Sequence, residues 1–170
     1  MLIVEKCKME RLMNSDFLKM KRLFLKQSYI DAWELYADSM EDENACLWDY
    51  IILTASNELQ AEAFRKEIAC RLEKKVIPDR IHYAVIPDPD GRRVGSGGAA
   101  FNVLKYLADI EGEGFADKRI LVIHSGGDSK RIPQYSVCGK LFSPVPRQLP
   151  DGRMSTLFDE FMIAMAGIPG

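Results

Sequence analysis

Apolar residues fall into two kinds of pattern along this chain, some spaced for helices and some run together for strands. Across residues 16–40, Phe17, Met20, Phe24, Tyr29, Trp33, Leu35 and Tyr36 recur at mixed helical spacings, behind cap candidates in Asn14-Ser15-Asp16. This predicts one or two amphipathic helices whose aromatic stripe packs into a core, with a partner-binding face as the alternative. The acidic run Glu41-Asp42-Glu43-Asn44 interrupts the pattern as a loop. Tyr50-Ile51-Ile52-Leu53-Thr54 is continuously apolar, as in a parallel-sheet strand buried on both faces. Ser56-Asn57 caps a helix over about 58–75, with Leu59, Ala63, Phe64, Ile68 and Leu72 on one side, stopping before Pro78. Residues 81–86 form a second strand, ended by Pro87-Asp88-Pro89-Asp90-Gly91.

Gly95-Ser96-Gly97-Gly98 then reads as a loop leading into a helix over 99–110, with Phe101, Val103, Leu104, Leu107 and Ile110 on its apolar face. A linker over 111–114 delivers a third strand at 119–124. Beyond it, 141–146 is a short extended piece, 149–152 a turn and 155–166 a final helix. Strand, helix and strand in this order predict a right-handed βαβ unit. The alternation as a whole predicts an α/β fold, a three-layer α/β/α sandwich with a mostly parallel, Rossmann-like sheet. Residues 1–46 form an N-terminal helical segment, and 47–170 the α/β domain.

Composition changes this picture little. A chain of 170 residues, 47% hydrophobic and 28% charged, suffices for one compact domain with a real core. A net charge of −2 provides no basic footprint for nucleic acid. The charge is uneven, however: residues 1–30 carry seven Lys/Arg against three Asp/Glu, and residues 31–70 carry two against ten. Such faces are expected to pair within the fold or across a homodimer. Cys7, Cys46, Cys70 and Cys138 form no CxxC, and only His82 and His124 accompany them, so no zinc site is expected. Leu2-Ile3-Val4 is too short for a signal peptide core, and no apolar run approaches the roughly 20 residues of a membrane span. A cytoplasmic protein with reduced thiols and no membrane partner is the expectation.

The chemistry concentrates in His124-Ser125-Gly126-Gly127-Asp128-Ser129-Lys130-Arg131-Ile132-Pro133, directly after the third strand, and in the following Gly139-Lys140. Ligands of open α/β sheets bind at the carboxyl ends of strands, and paired glycines there let backbone amides approach a phosphate with no Cβ in the way. Such a bend is an anion-binding concavity. Lys130, Arg131 and Lys140 add three positive charges, and arginine grips phosphate oxygens through two parallel hydrogen bonds. Lys140 precedes Leu141 rather than Ser or Thr, which excludes a Walker P-loop. Gly95, Gly97 and Ala100 match dinucleotide spacing loosely, but residues 87–93 separate them from the preceding strand. Glycines 95–98 at a helix start serve either an anion or close strand–helix packing. His124 reads as structural support, since attack by an already ionised phosphate needs no strong base.

Several of these motifs, in order, resemble the sugar-phosphate nucleotidyltransferases, and more closely the fucose-1-phosphate guanylyltransferase (GDP-fucose pyrophosphorylase) family, which occurs alone or fused to L-fucokinase. They are Leu47-Trp48-Asp49, Leu53-Thr54-Ala55, Val94-Gly95-Ser96-Gly97-Gly98-Ala99, Ile123-His124-Ser125-Gly126-Gly127, Ser129-Lys130-Arg131-Ile132-Pro133 and Gly139-Lys140-Leu141-Phe142. The resemblance implies a nucleotide-diphospho-sugar transferase-like fold and transfer of GMP from GTP to β-L-fucose 1-phosphate, with Mg²⁺. Guanine and fucose rest on the resemblance alone. Carried onto this chain, it implies that Gly126 and Gly127, with Asp128, Ser129 and Lys130, bind the triphosphate, while Gly97 and Gly98 are nucleotide-binding candidates by their place at a helix start. Arg131 would stabilise the leaving pyrophosphate and Lys140 would sit by the α-phosphate.

Members of that superfamily carry further strands and a metal-binding aspartate after the signature loop, whereas this sequence ends one helix later, at Gly170. The metal ligand is therefore unassigned, with Asp128 and Asp159 as unsupported guesses. The expectation is an incomplete fold, either a fragment or a shortened nucleotide-binding product, whose partner is a second copy or a missing C-terminal part.

Overall fold

The protein is seen in a computed structural model that describes residues 2–45, 47–125 and 139–168, with side chains from residue 15 onward. Its central element is β1, Tyr50–Ala55, in which every residue is buried. A run with no polar alternation has no face to offer water, so it belongs in the middle of a sheet. The observed order is β2-β1-β3, where β2 is His82–Pro87 and β3 is Ile120–His124. Both neighbours run parallel to β1: Tyr50 lies opposite His82 and Ile120, and Thr54 opposite Ile86 and His124.

Side chains alternate across a strand, so β1 feeds two cores. Ile51, Leu53 and Ala55 pack with Ala61, Phe64 and Ile68 of α2, Glu58–Glu73. Tyr50 and Ile52 pack with Val103 and Leu107 of α3, Gly95–Glu111. The α/β class read from the sequence is thus present as helices on a parallel three-stranded sheet. Each fully buried Phe, Leu or Ile contributes about 1.5–3 kcal/mol. As its sequence predicts, α2 is capped by Asn57, whose Oδ1 accepts from the Gln60 amide at 2.9 Å.

The buried positions on the helices are fewer than the apolar ones. On α2, Leu59 is 79% exposed and Ala63 is exposed, while on α3 Phe101, Leu104 and Ile110 face solvent. A helix lying on a sheet buries one narrow stripe, here Ala61-Phe64-Ile68 and Ala99-Val103-Leu107, and the other apolar residues fall outside it. α3 also begins at Gly95 rather than Ala99, so the glycines form its first turn instead of a loop.

After residue 139 the chain forms an antiparallel hairpin of β4, Pro144–Gln148, and β5, Met154–Thr156, followed by α4, Leu157–Met165. The sequence pattern starts that last helix too early. Thr156 pairs with Pro144 as strand and also caps α4, accepting from the Asp159 amide while the Asp159 carboxylate accepts from the Thr156 amide. Phe158, Met162 and Ile163 of α4 join the core under α2.

The N-terminal segment is a single helix, α1, Leu2–Glu41. Its C-terminal part docks: Tyr36 is buried, its hydroxyl donating to the Val76 carbonyl at 2.6 Å, and Tyr29, Trp33 and Met40 half-bury against the core. Towards the N-terminus, Phe17 and Phe24 are 58% and 70% exposed and Met20 also faces solvent. The core-packing expectation therefore holds for only one end of the aromatic stripe, because the helix outruns the elements able to cover it. Among the described residues no helix is long and apolar enough to cross a membrane.

Candidate functional site

The chain leaves β1 for α2 on one face of the sheet and reaches β3 through α3 on the other. Where successive connections diverge in this way, a crevice opens at the carboxyl ends of the strands. A cleft of about 260 Å³ occupies that position. Thr54 and Ser56 enter it from the end of β1, Asp88 from just after β2 and His124 from the last position of β3. Arg93 and the start of α3, at Gly95, Ser96 and Ala99, close the other side. A larger groove of about 490 Å³ lies between α2 and α3, but it runs along the open edge strand β2, from Ile81 to Ile86, and is lined mostly by apolar side chains.

Hydrogen bonds tie the cleft's rim together. The Ser125 hydroxyl donates to the Thr54 carbonyl at 2.6 Å, and the buried Thr54 hydroxyl lies 3.4 Å from Nδ1 of His124. Gln60 Oε1 accepts from both the amide and the hydroxyl of Ser56, at 2.8 and 3.1 Å. The Asp88 amide donates to the Ala55 carbonyl at 2.8 Å, which fixes the exit of β2 beside the end of β1.

The start of α3 supplies the cleft with backbone donors. Val94 is the N-cap and makes no side-chain capping bond, so the first turn relies on other acceptors for its amides, and the positive end of the helix dipole lies at the cleft. Gly95 has φ +70°, a left-handed conformation that favours glycine. A Cβ on the exposed Gly97 would meet open space, whereas one on Gly98 would come 2.6 Å from Cβ of Val94. Helix–sheet packing, one of the two reasons offered for these glycines, is therefore not the reason for either. Gly97 and Gly98 share the turn but do not line the cleft.

Gly126, Gly127, Asp128, Ser129, Lys130 and Arg131 lie outside the described residues. The described chain resumes at Gly139, which is buried with φ +72°. A Cβ there would approach the Phe64 ring to 2.9 Å and Gln60 Nε2 to 3.1 Å. The chain there is thus seated on the first turns of α2, beside the side chain that holds Ser56. Lys140 follows, exposed and not on the cleft wall. Lys140 therefore stands on the α2 side of the sheet and the Gly97-Gly98 turn on the α3 side.

Asp159 does not behave as a metal ligand. Its carboxylate caps α4, accepting from the Thr156 hydroxyl at 2.7 Å, and pairs with Arg71 Nε at 3.3 Å, with both side chains largely buried. Arg71 also stacks over Phe142, 4.8 Å from its ring centre. Among the described residues no group of three or more His, Cys, Asp or Glu gathers to hold a metal. At the amino ends of β1 and β3, Asp49 accepts from the Arg119 amide at 2.7 Å and from its Nε at 3.3 Å. The backbone donor above all holds the Asp49 carboxyl below the usual range. A hydrogen bond to Glu111 pushes Tyr50 up to about 12.

Residues 112–170, which include the whole glycine loop, match the family model for the fucose pyrophosphorylase domain. The chain is similar to the fucose pyrophosphorylases. It is 36% identical over 110 residues to fucose-1-phosphate guanylyltransferase of Mus musculus, covering 65% of this chain and 19% of that protein. The same enzyme of Homo sapiens is 36% identical over 110 residues, with 18% of it covered. The bifunctional fucokinase/GDP-fucose pyrophosphorylase of Arabidopsis thaliana is 34% identical over 138 residues, covering 68% of this chain and 13% of that protein. The chain therefore spans less than a fifth of the length of the curated relatives it matches. No solved structure matches it significantly. Of the residues lining the cleft, Ser56, Asp88, Arg93 and Ser96 were passed over as site residues by sequence reasoning. The rule that drew attention to the end of β3 would have found the first two had it been applied to the ends of β1 and β2.

Proposed function

We propose that this chain is the nucleotide-gripping part of a sugar-phosphate guanylyltransferase that converts GTP and β-L-fucose 1-phosphate into GDP-L-fucose and pyrophosphate. The observation that carries this reading is the 110-residue similarity to fucose-1-phosphate guanylyltransferases. The cleft at the strand ends, with uncapped helix amides on one side and the departure of the glycine loop on another, is consistent with it. An oxygen of the sugar phosphate attacks the α-phosphorus in line, a new P–O bond forms and pyrophosphate leaves. The nucleophile is already ionised, so the protein's task is alignment and charge stabilisation. Gly126 and Gly127, flanked by Asp128, Ser129 and Lys130, hold the triphosphate through backbone amides. Arg131 stabilises the departing pyrophosphate, Lys140 neutralises the α-phosphate, and the Gly97-Gly98 turn offers a second set of amides.

Reactions of this kind draw on Mg²⁺ to neutralise phosphate charge. The described residues bring only Asp88 to the cleft as a carboxylate, which does not by itself make a Mg²⁺ site. The remaining length of the relatives would extend the three-stranded sheet into a nucleotide-diphospho-sugar transferase-like three-layer sandwich in a cytoplasmic enzyme. The test is pyrophosphate release that requires both GTP and fucose 1-phosphate. Lys140→Ala should lower kcat/KM by about 10²–10³-fold, and no turnover by the intact gene product would sink the reading.

A nucleotide-binding module without turnover is the second reading, compatible with a match that covers 19% of the mouse relative. It predicts saturable GTP binding by calorimetry with no pyrophosphate formed, and an absence of binding by any nucleotide would remove it.

A further inference from the structure

We propose that the exposed face of α1 is a docking surface for a second copy of this chain, laid antiparallel across a twofold axis. Every side chain from 15 to 28 is exposed, and six of them, Phe17, Leu18, Met20, Leu23, Phe24 and Leu25, are large and apolar. Phe17, Met20 and Phe24 follow one another at intervals of three and four, which aligns them on one face, and the same face reaches the exposed Leu35. A patch of this kind on a helix clear of its own core marks an interaction site.

Apolar surface does not choose a partner, but charge does. Within 15–26, Lys19, Lys21, Arg22 and Lys26 outnumber Asp16. Within 27–41 there is no Lys or Arg, and Asp31, Glu34, Asp38 and Glu41 are all exposed. A nucleic acid or anionic membrane matches the first half and is repelled by the second. A second α1 running the other way sets basic against acidic at both ends, and the two helix dipoles then oppose each other favourably. Exposed ion pairs add little affinity, so the charges fix orientation while the aromatic residues provide the association energy.

The test is sedimentation equilibrium of the full 170-residue chain. A dimer is expected, weakening about tenfold or more as salt rises from ~0.05 to ~0.5 M. Phe17→Glu with Phe24→Glu should give a monomer that melts at the temperature of wild type diluted below its dissociation constant, since within one chain both side chains already face solvent. A chain with Lys19, Lys21, Arg22 and Lys26 changed to Glu, and a second with Asp31, Glu34 and Asp38 changed to Lys, should each be monomeric alone and pair when mixed. A wild-type monomer at all concentrations, a dimer indifferent to these variants, or failure of the mixed chains to pair would overturn the proposal. Binding of a monomer to phosphatidylserine vesicles would also overturn it and assign the face to lipid.

Discussion

Gly139 shows how much one absent methyl group can decide. Its positive φ and the 2.9 Å approach to the Phe64 ring both exclude a side chain, so Gly139→Ala should cost about 2–4 kcal/mol, read as a lower urea midpoint. Arg71 and Asp159 form a second single-residue dependency. Arg71→Ala strands a carboxylate that is 7% exposed and should cost about 3 kcal/mol in the same measurement, whereas Lys66→Ala, in a solvent-exposed pair, should shift it by less than about 0.5 kcal/mol. Asp49 adds a pH dependence. Its folded value is depressed, so its contribution is complete above the unfolded carboxylate value of about 3.9 and is lost as pH falls through the folded one. Wild type should lose more stability than Asp49→Asn between about pH 5 and pH 3 in denaturant titrations. The Asn57 cap was legible because its partner is three residues away, but nothing in a single sequence links Arg71 to Asp159, 88 residues later.

At the scale of elements, the start of α3 separates two reasons for glycine. Since a Cβ on Gly97 meets open space, Gly97→Ala should raise the melting temperature slightly, by about 0.5–1 kcal/mol of helix preference. If the bare backbone serves a ligand, the same variant should weaken GTP binding while it stabilises the fold, and unchanged affinity would leave Gly97 without a role in binding. The strands were the most legible elements, since continuous apolar runs at 50–55 and 120–124 leave few alternatives. Helix faces were less so, because a stripe such as Leu59-Ala63 has helical spacing whether or not a sheet lies beneath it. β5 escaped notice for a related reason: three residues carry no period, and only pairing with β4 defines them as strand.

At the scale of the whole molecule, the carboxyl-end cleft was legible as a location from the strand–glycine order. Its walls were not, because Asp88 and Arg93 reach it only through the β2-β1-β3 arrangement. That arrangement also has a consequence for how the chain acquires its structure. The most apolar strand comes first in sequence, while its partners lie 32 residues downstream at His82 and 70 downstream at Ile120. Few of the sheet's contacts are local, which places the domain among slow folders. During synthesis the Tyr50-Ile51-Ile52-Leu53 run must wait, unpaired and sticky, until β3 has emerged, and it is the segment on which a chaperone would first be expected to act.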